Sequence, residues 1–239
     1  MMDRPYCRVW RPGTPARYCL ERDYAADFHQ LCGEYSGLEN RLRALLDRRG
    51  ASDEALQTGG WTVYRLLREA RYELDHNLCG ILRANGYPGR PRDWGWRDFA
   101  ALEPLMRLSG YRVRLPAAGR ELELCPFAHC QEGPPAWYRG EYPLLFPGRG
   151  AVEQATLQKA LEMVAALHCV LYGQFGENLS AALRPRGARE GAGYFTASSI
   201  FVVQPPDFPE EERYGFRWEE IKKKKGWCTP FFGPDGMRQ

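Results

Sequence analysis

Residues 24–45 read YAADFHQLCGEYSGLENRLRAL, and their apolar positions recur with a helical period. Tyr24, Phe28, Leu31, Tyr35, Leu38, Leu42 and Leu45 are separated by alternating steps of four and three, which lays all seven on one stripe of an α-helix. Gly33 and Gly37 each cost about 1 kcal/mol of helix propensity, and three heptads are the lower limit for a coiled coil. A helix packed within a bundle is therefore the expectation, with docking of the stripe on a partner helix as the alternative use of the same surface.

Downstream of this helix the punctuation is regular. Gly50 ends it, Ser52 caps a short helix starting at Asp53, and Gly59 and Gly60 precede a longer helix from Trp61 to about Asn85, stopped by Gly86. The inner face of the long helix is Val63, Leu67, Ala70, Leu74, Leu78 and Ile81. An exposed linker, residues 87–92 (YPGRPR), leads to Asp93 as the cap of a helix carrying Trp96, Phe99, Leu102, Leu105 and Met106, with Gly110 as its stop. Upstream, residues 6–20 predict a short hairpin about the turn at 12–15, PGTP, whose prolines limit the pairing. Residues 1–110 thus form one helical unit with an N-terminal hairpin.

The pattern then changes. Residues 111–115 alternate, 116–119 turn and 121–124 alternate back, which predicts a second hairpin. A Pro- and Gly-rich stretch, 133–150, leads to a helix from about 151 to 172 with Leu157, Leu161, Val164, His168 and Leu171 in register. An apolar strand over 194–203 and an irregular, proline-containing tail complete residues 111–239. The fold class predicted is α+β, predominantly helical: a helical bundle with β-hairpins and a finger-like segment between them.

Composition narrows the class of protein. A hydrophobic content of 44% excludes disorder as the main state. No apolar run reaches the roughly 18–20 residues of a membrane span, and Asp3, Arg4 and Arg8 stand where a secretory signal needs an apolar core. The eight cysteines are spread along the chain rather than grouped at framework spacings, so reduced thiols in cytoplasm or nucleus are expected. Basic residues are 28 Arg and 5 Lys, an imbalance that a GC-rich gene accounts for where the arginines are scattered. With a net charge of +3, a polyanion site must be a local patch.

One motif carries chemistry. Residues 124–130, LCPFAHC, place Cys125 and His129 with three residues between them, one an aromatic, in a turn that can bring a thiolate and an imidazole onto one tetrahedral Zn²⁺. The motif resembles the closing half of the CCCH zinc finger, C-x-F-A-H. Its continuation through Gln131 and Glu132 to Trp137 resembles the A-H-S-x-E-E-L-x-x-W tail of fingers in vertebrate zinc-finger helicases and related multi-finger proteins. The resemblance covers residues 124–138. It implies Cys125 and His129 as zinc ligands, single-stranded RNA as partner, and Phe127 as a stacking or scaffold aromatic. The sequence departs from the family in having no cysteine over 109–124 and in having Cys130 where the family has Ser. Two alternatives follow: a metal-free remnant, or a site rebuilt with Cys130 and a distant ligand such as Cys79, Cys169 or His168.

Two basic patches join aromatics to cations. Arg184, Arg186 and Arg189 form one; Lys222, Lys223, Lys224 and Lys225, flanked by Trp218 and Trp227, form the other. Charges tracking phosphate and rings stacking on bases make a single-stranded RNA surface, and Trp137 joins that candidate set. The ordinary alternative is an exposed helix end or an import-like run. His168 falls on an apolar helix face and reads as a core histidine, while His29 and His76 fall on solvent-compatible positions. No nucleophile-elbow or phosphate-loop spacing occurs, so a non-enzymatic, RNA-associated protein is the favoured expectation and a scaffold docking through Tyr24–Leu45 the alternative.

Overall fold

The computed structural model describes residues 22–116, 122–140, 148–175 and 200–207, with side chains at all of these except 22–32, 84 and 175. The expected hairpin at 6–20, most of the expected strand at 194–203 and both basic patches lie outside the described residues. Within them the chain is mostly helical with a small antiparallel sheet.

Helix α1 runs Arg22–Arg49 and ends at Gly50, whose φ of 77° takes the left-handed closing conformation and whose N–H reaches the Leu46 carbonyl at 2.7 Å. Tyr35, Leu38, Leu42 and Leu45 of the stripe are all buried, and α1 packs on α3 and α7. From Tyr35 onward the stripe therefore faces this chain's own core, as a bundle helix does. Ser52 caps α2 (Asp53–Leu56) by accepting the Ala55 N–H. Helix α3 spans Trp61–Ala84, and each of its six expected inner residues is fully buried.

The segment expected as one helix after Asp93 is broken. Residues Pro91–Asp93 make a single 3₁₀ turn, α4 covers Trp96–Ala100, and α5 covers Glu103–Met106. Pro104 is the reason for the break, since it cannot donate to a preceding turn and fits only at a helix start. Capping of α4 falls to Gly95, whose N–H binds the Asp98 carboxylate at 2.8 Å, rather than to Asp93. Arg107, in the left-handed region at φ 50°, closes α5 ahead of Gly110. Trp96, Phe99, Leu102, Leu105 and Met106 are nonetheless all buried.

Strands β1 (Arg112–Leu115) and β2 (Leu122–Leu124) pair antiparallel with Val113 opposite Leu124 and Leu115 opposite Leu122. A third strand, β3 (Val202–Gln204), adds to the other edge of β1 with Val113 opposite Val203, giving the order β2-β1-β3. The buried Glu39 carboxylate of α1 accepts the Ile200 N–H at 2.8 Å and holds the approach to β3 against the helices.

The helix expected from 151 is likewise two: α6 (Arg149–Gln154) and α7 (Leu157–Phe175). At Ala155 the backbone leaves helical geometry, the Leu157 N–H turns to the Thr58 carbonyl, and the Thr156 hydroxyl caps α7 by accepting the Lys159 N–H. Helix α7 is buried around nearly its whole circumference and packs most extensively on α3. An all-round apolar helix is a core helix. The main apolar core runs from Tyr35 to Val203, with a small separate cluster of Tyr64, Val152 and Ala155, so the change of pattern at residue 110 marks a change of secondary structure across which packing is continuous. No helix among the described residues is long and apolar enough to cross a membrane.

Candidate nucleic-acid interface and finger-like turn

After β2 the chain winds through successive tight turns: Ala128 N–H to Cys125 carbonyl at 3.0 Å, Cys130 to Phe127 at 3.0 Å, and Glu132 to His129 at 2.9 Å. His129 sits at φ 58°, in the left-handed region that few non-glycine residues enter. Phe127 is 0% exposed, lying near parallel to Trp96 at 6.3 Å and edge-on to Trp137 at 5.7 Å. Two indoles cap the turn: Trp137 donates to the Pro126 carbonyl at 2.7 Å and Trp96 to the Cys130 carbonyl at 2.9 Å. Both bonds are buried, where an unmet carbonyl would cost about 1–3 kcal/mol.

Tyr138 ties this turn to α3. The Arg71 guanidinium lies 3.3 Å from the Tyr138 ring centroid, its Nη1 donates to the Tyr138 carbonyl at 2.7 Å, and its Nε donates to Asp75 at 2.8 Å. The Tyr138 hydroxyl donates to the other Asp75 oxygen at 3.0 Å. Burial pushes the Asp75 carboxyl up despite Arg71, and burial with the neighbouring Asp75 charge pushes the Tyr138 hydroxyl up.

The candidate metal ligands stand in different surroundings. Cys125 is exposed, and the His129 Nδ1 meets Glu132 at 2.9 Å in solvent. Cys130 is buried and its thiol reaches Glu103 at 3.4 Å; burial first, then the Glu103 charge, push that thiol up to about 12. Cys79 sits against the Pro91 carbonyl, and burial with Asp75 and Asp98 nearby pushes it up to about 11. His168 is taken by Tyr35, and Cys169 is fully buried, its thiol pushed up by burial. No group of three or more His, Cys, Asp or Glu side chains among the described residues is arranged to hold an ion, so the residues as placed do not fit a tetrahedral zinc set.

One further expectation needs correction. Phe127 and Trp137, proposed to stack on bases, are interior residues, Trp137 at 3% exposure, and their faces are covered by each other and by Trp96. Phe127 takes the scaffold role of the two offered. Arg184, Arg186, Arg189, Trp218, Lys222, Lys223, Lys224, Lys225 and Trp227 lie outside the described residues. His168 is a core histidine as expected, its Nδ1 2.6 Å from the Tyr35 hydroxyl, and burial pushes it down to about 3.

The structure exposes a surface that the inward-looking treatment of residues 61–85 passed over. Trp61 (58% exposed) and Tyr72 (65%) are the large apolar side chains most open to solvent among the described residues, and both project from α3. At 100° per residue they share one face with Arg65, Arg68, His76 and Arg83. Arg65, His76 and Arg83 are exposed and Arg68 is half-buried, while Tyr72 stacks near parallel on His76 at 5.9 Å. Of the flanking acids, Glu69 pairs with Arg41 at 2.5 Å and lies 3.9 Å from Arg68 of this face, while Asp75 pairs with Arg71. The opposite face of α3 is buried against α7, so the stripe is held on a rigid support. The signal was in the sequence: the same periodicity that selects the inner face selects Trp61, Arg65, Arg68 and Tyr72 as its complement.

Compared with protein-family models, curated proteins and solved structures, the chain matches none.

Proposed function

We propose that this chain is a non-enzymatic RNA-binding protein that takes single-stranded RNA along the outward face of α3. The observation that carries the proposal is a set of aromatic and basic side chains on one face of a helix whose other face is core: Trp61, Arg65, Tyr72 and His76 exposed and Arg68 half-buried. Arg guanidiniums meet phosphate oxygens in a bidentate way and the rings accept bases of any sequence. Over the 11 residues from Trp61 to Tyr72 the helix rises about 16 Å, enough to separate two stacked bases by intervening phosphates. The Arg184–Arg189 and Lys222–Lys225 patches would extend the same chemistry. Partner-helix docking through the Tyr24–Leu45 stripe is less well supported, because Tyr35, Leu38, Leu42 and Leu45 are already buried within the chain.

Fluorescence anisotropy with labelled oligo-U tests this. Three phosphate contacts predict an affinity loss of about ten- to twenty-fold between roughly 50 and 200 mM salt. Trp61→Ala with Tyr72→Ala, both exposed and so spared in folding, is expected to weaken binding at least about ten-fold. Binding that is absent at low salt, insensitive to salt, or unchanged in the double variant overturns the proposal. A chain that ignores oligo-U and elutes at twice its mass supports the partner-helix alternative instead.

A further inference from the structure

We infer that the finger-like turn, residues 125–138, is a metal-independent knuckle in which two indole caps and a thiol–carboxylate hydrogen bond do the work that zinc does in the fingers it resembles. A structural zinc ties two distant strands of chain together and closes a turn too small to have a core of its own. Here each of those tasks has another agent. The Trp137 indole closes the turn on itself at the Pro126 carbonyl, and the Trp96 indole ties it to α4 through the Cys130 carbonyl. Cys130 donates its S–H to Glu103 of α5, a use that needs the protonated thiol rather than the thiolate a metal takes. Phe127 is fully interior among Trp96, Trp137 and the main core. His129 and Cys125 face solvent and contribute to none of these bonds. The inference stands independently of the RNA proposal.

The test pairs metal content with unfolding of the full chain. Protein purified from zinc-supplemented medium is expected to hold far less than one equivalent of zinc. Its melting temperature should be unmoved by EDTA, and Cys125→Ser with His129→Ala should melt like wild type. Trp137→Phe and Trp96→Phe keep an aromatic ring but remove the pyrrole part of the indole with its N–H, so each is expected to lower the melting temperature by about 3 °C or more through the lost cap and the void together. Stoichiometric zinc lost in Cys125→Ser, or a melting temperature lowered by EDTA, overturns the inference. So does a pair of Trp→Phe variants as stable as wild type. If a Trp variant does not fold, metal content and EDTA response of wild type still decide.

Discussion

The Nδ1 of His168 and the hydroxyl of Tyr35 lie 2.6 Å apart in the interior, joining α7 to α1 across 133 positions of sequence. The imidazole also packs on the rings of Tyr35 and Phe201, so protonating it would place a charge among aromatics. Burial accordingly holds its pKa down at about 3, against about 6.5 in an unfolded chain. Between those values the unfolded chain binds a proton that the folded chain does not. The stability owed to neutral His168 is therefore complete above about pH 6.5 and is lost as pH falls from there towards 3, by at most about 1.4 kcal/mol per pH unit. The raised carboxyls of Asp75 and Glu162 act in the opposite sense at acid pH. Urea unfolding of wild type and His168→Gln at pH 7.5 and 5.5 isolates the effect: the difference in stability between them should shrink at the lower pH.

Arg71 is expected to tolerate no conservative replacement. Its guanidinium plane lies over Tyr138 while two of its nitrogens reach the Tyr138 carbonyl and Asp75, a combination that an ammonium on a flexible stem does not reproduce. Arg71→Lys should cost about 1–3 kcal/mol in urea unfolding, and Tyr138→Phe about 1 kcal/mol through the partner lost by Asp75. Additive losses in the double variant would contradict a coupled network.

Glycine substitutions should differ in sign by position. A Cβ at Gly59 would lie 2.9 Å from the Ala155 carbonyl oxygen and 3.3 Å from two more backbone oxygens, so Gly59→Ala must push α6 away and is expected to destabilise by about 1–3 kcal/mol. A Cβ at Gly33 meets nothing within 4 Å inside α1, and Gly33→Ala should stabilise by up to about 1 kcal/mol. Thermal melts of the two variants bracketing wild type would bear this out.

The helical part of this fold was legible because its signals are local. Three- and four-residue spacing selects Leu38, Leu42, Leu67 and Leu74 as interior, and Gly50 and Ser52 mark ends through their own backbone and side chain. What escaped was set by distant partners. The break at Ala155 depends on the Thr58 carbonyl and on the close approach at Gly59, and the pairing of β3 on β1 joins residues some 90 apart. The burial of Phe127 and Trp137 was missed for a related reason. The spacing of Cys125, Phe127, His129 and Trp137 is compatible with a metal-bound, base-stacking turn, and only the arrival of Trp96 and Glu103 from the preceding helices makes it an interior knuckle. On α3 the outer face was as readable as the inner one, since Trp61 and Tyr72 break the rule that a helix presents polar residues to solvent.

The most direct measurement on the proposed RNA surface is ultraviolet cross-linking of the full chain to oligo-U, with cross-linked peptides mapped by mass spectrometry. Cross-links within residues 61–76, centred on Trp61 and Tyr72 and abolished by the double alanine variant, are the predicted result. Cross-links confined to other segments, or none at an RNA concentration that saturates binding, would contradict an RNA-binding face on α3.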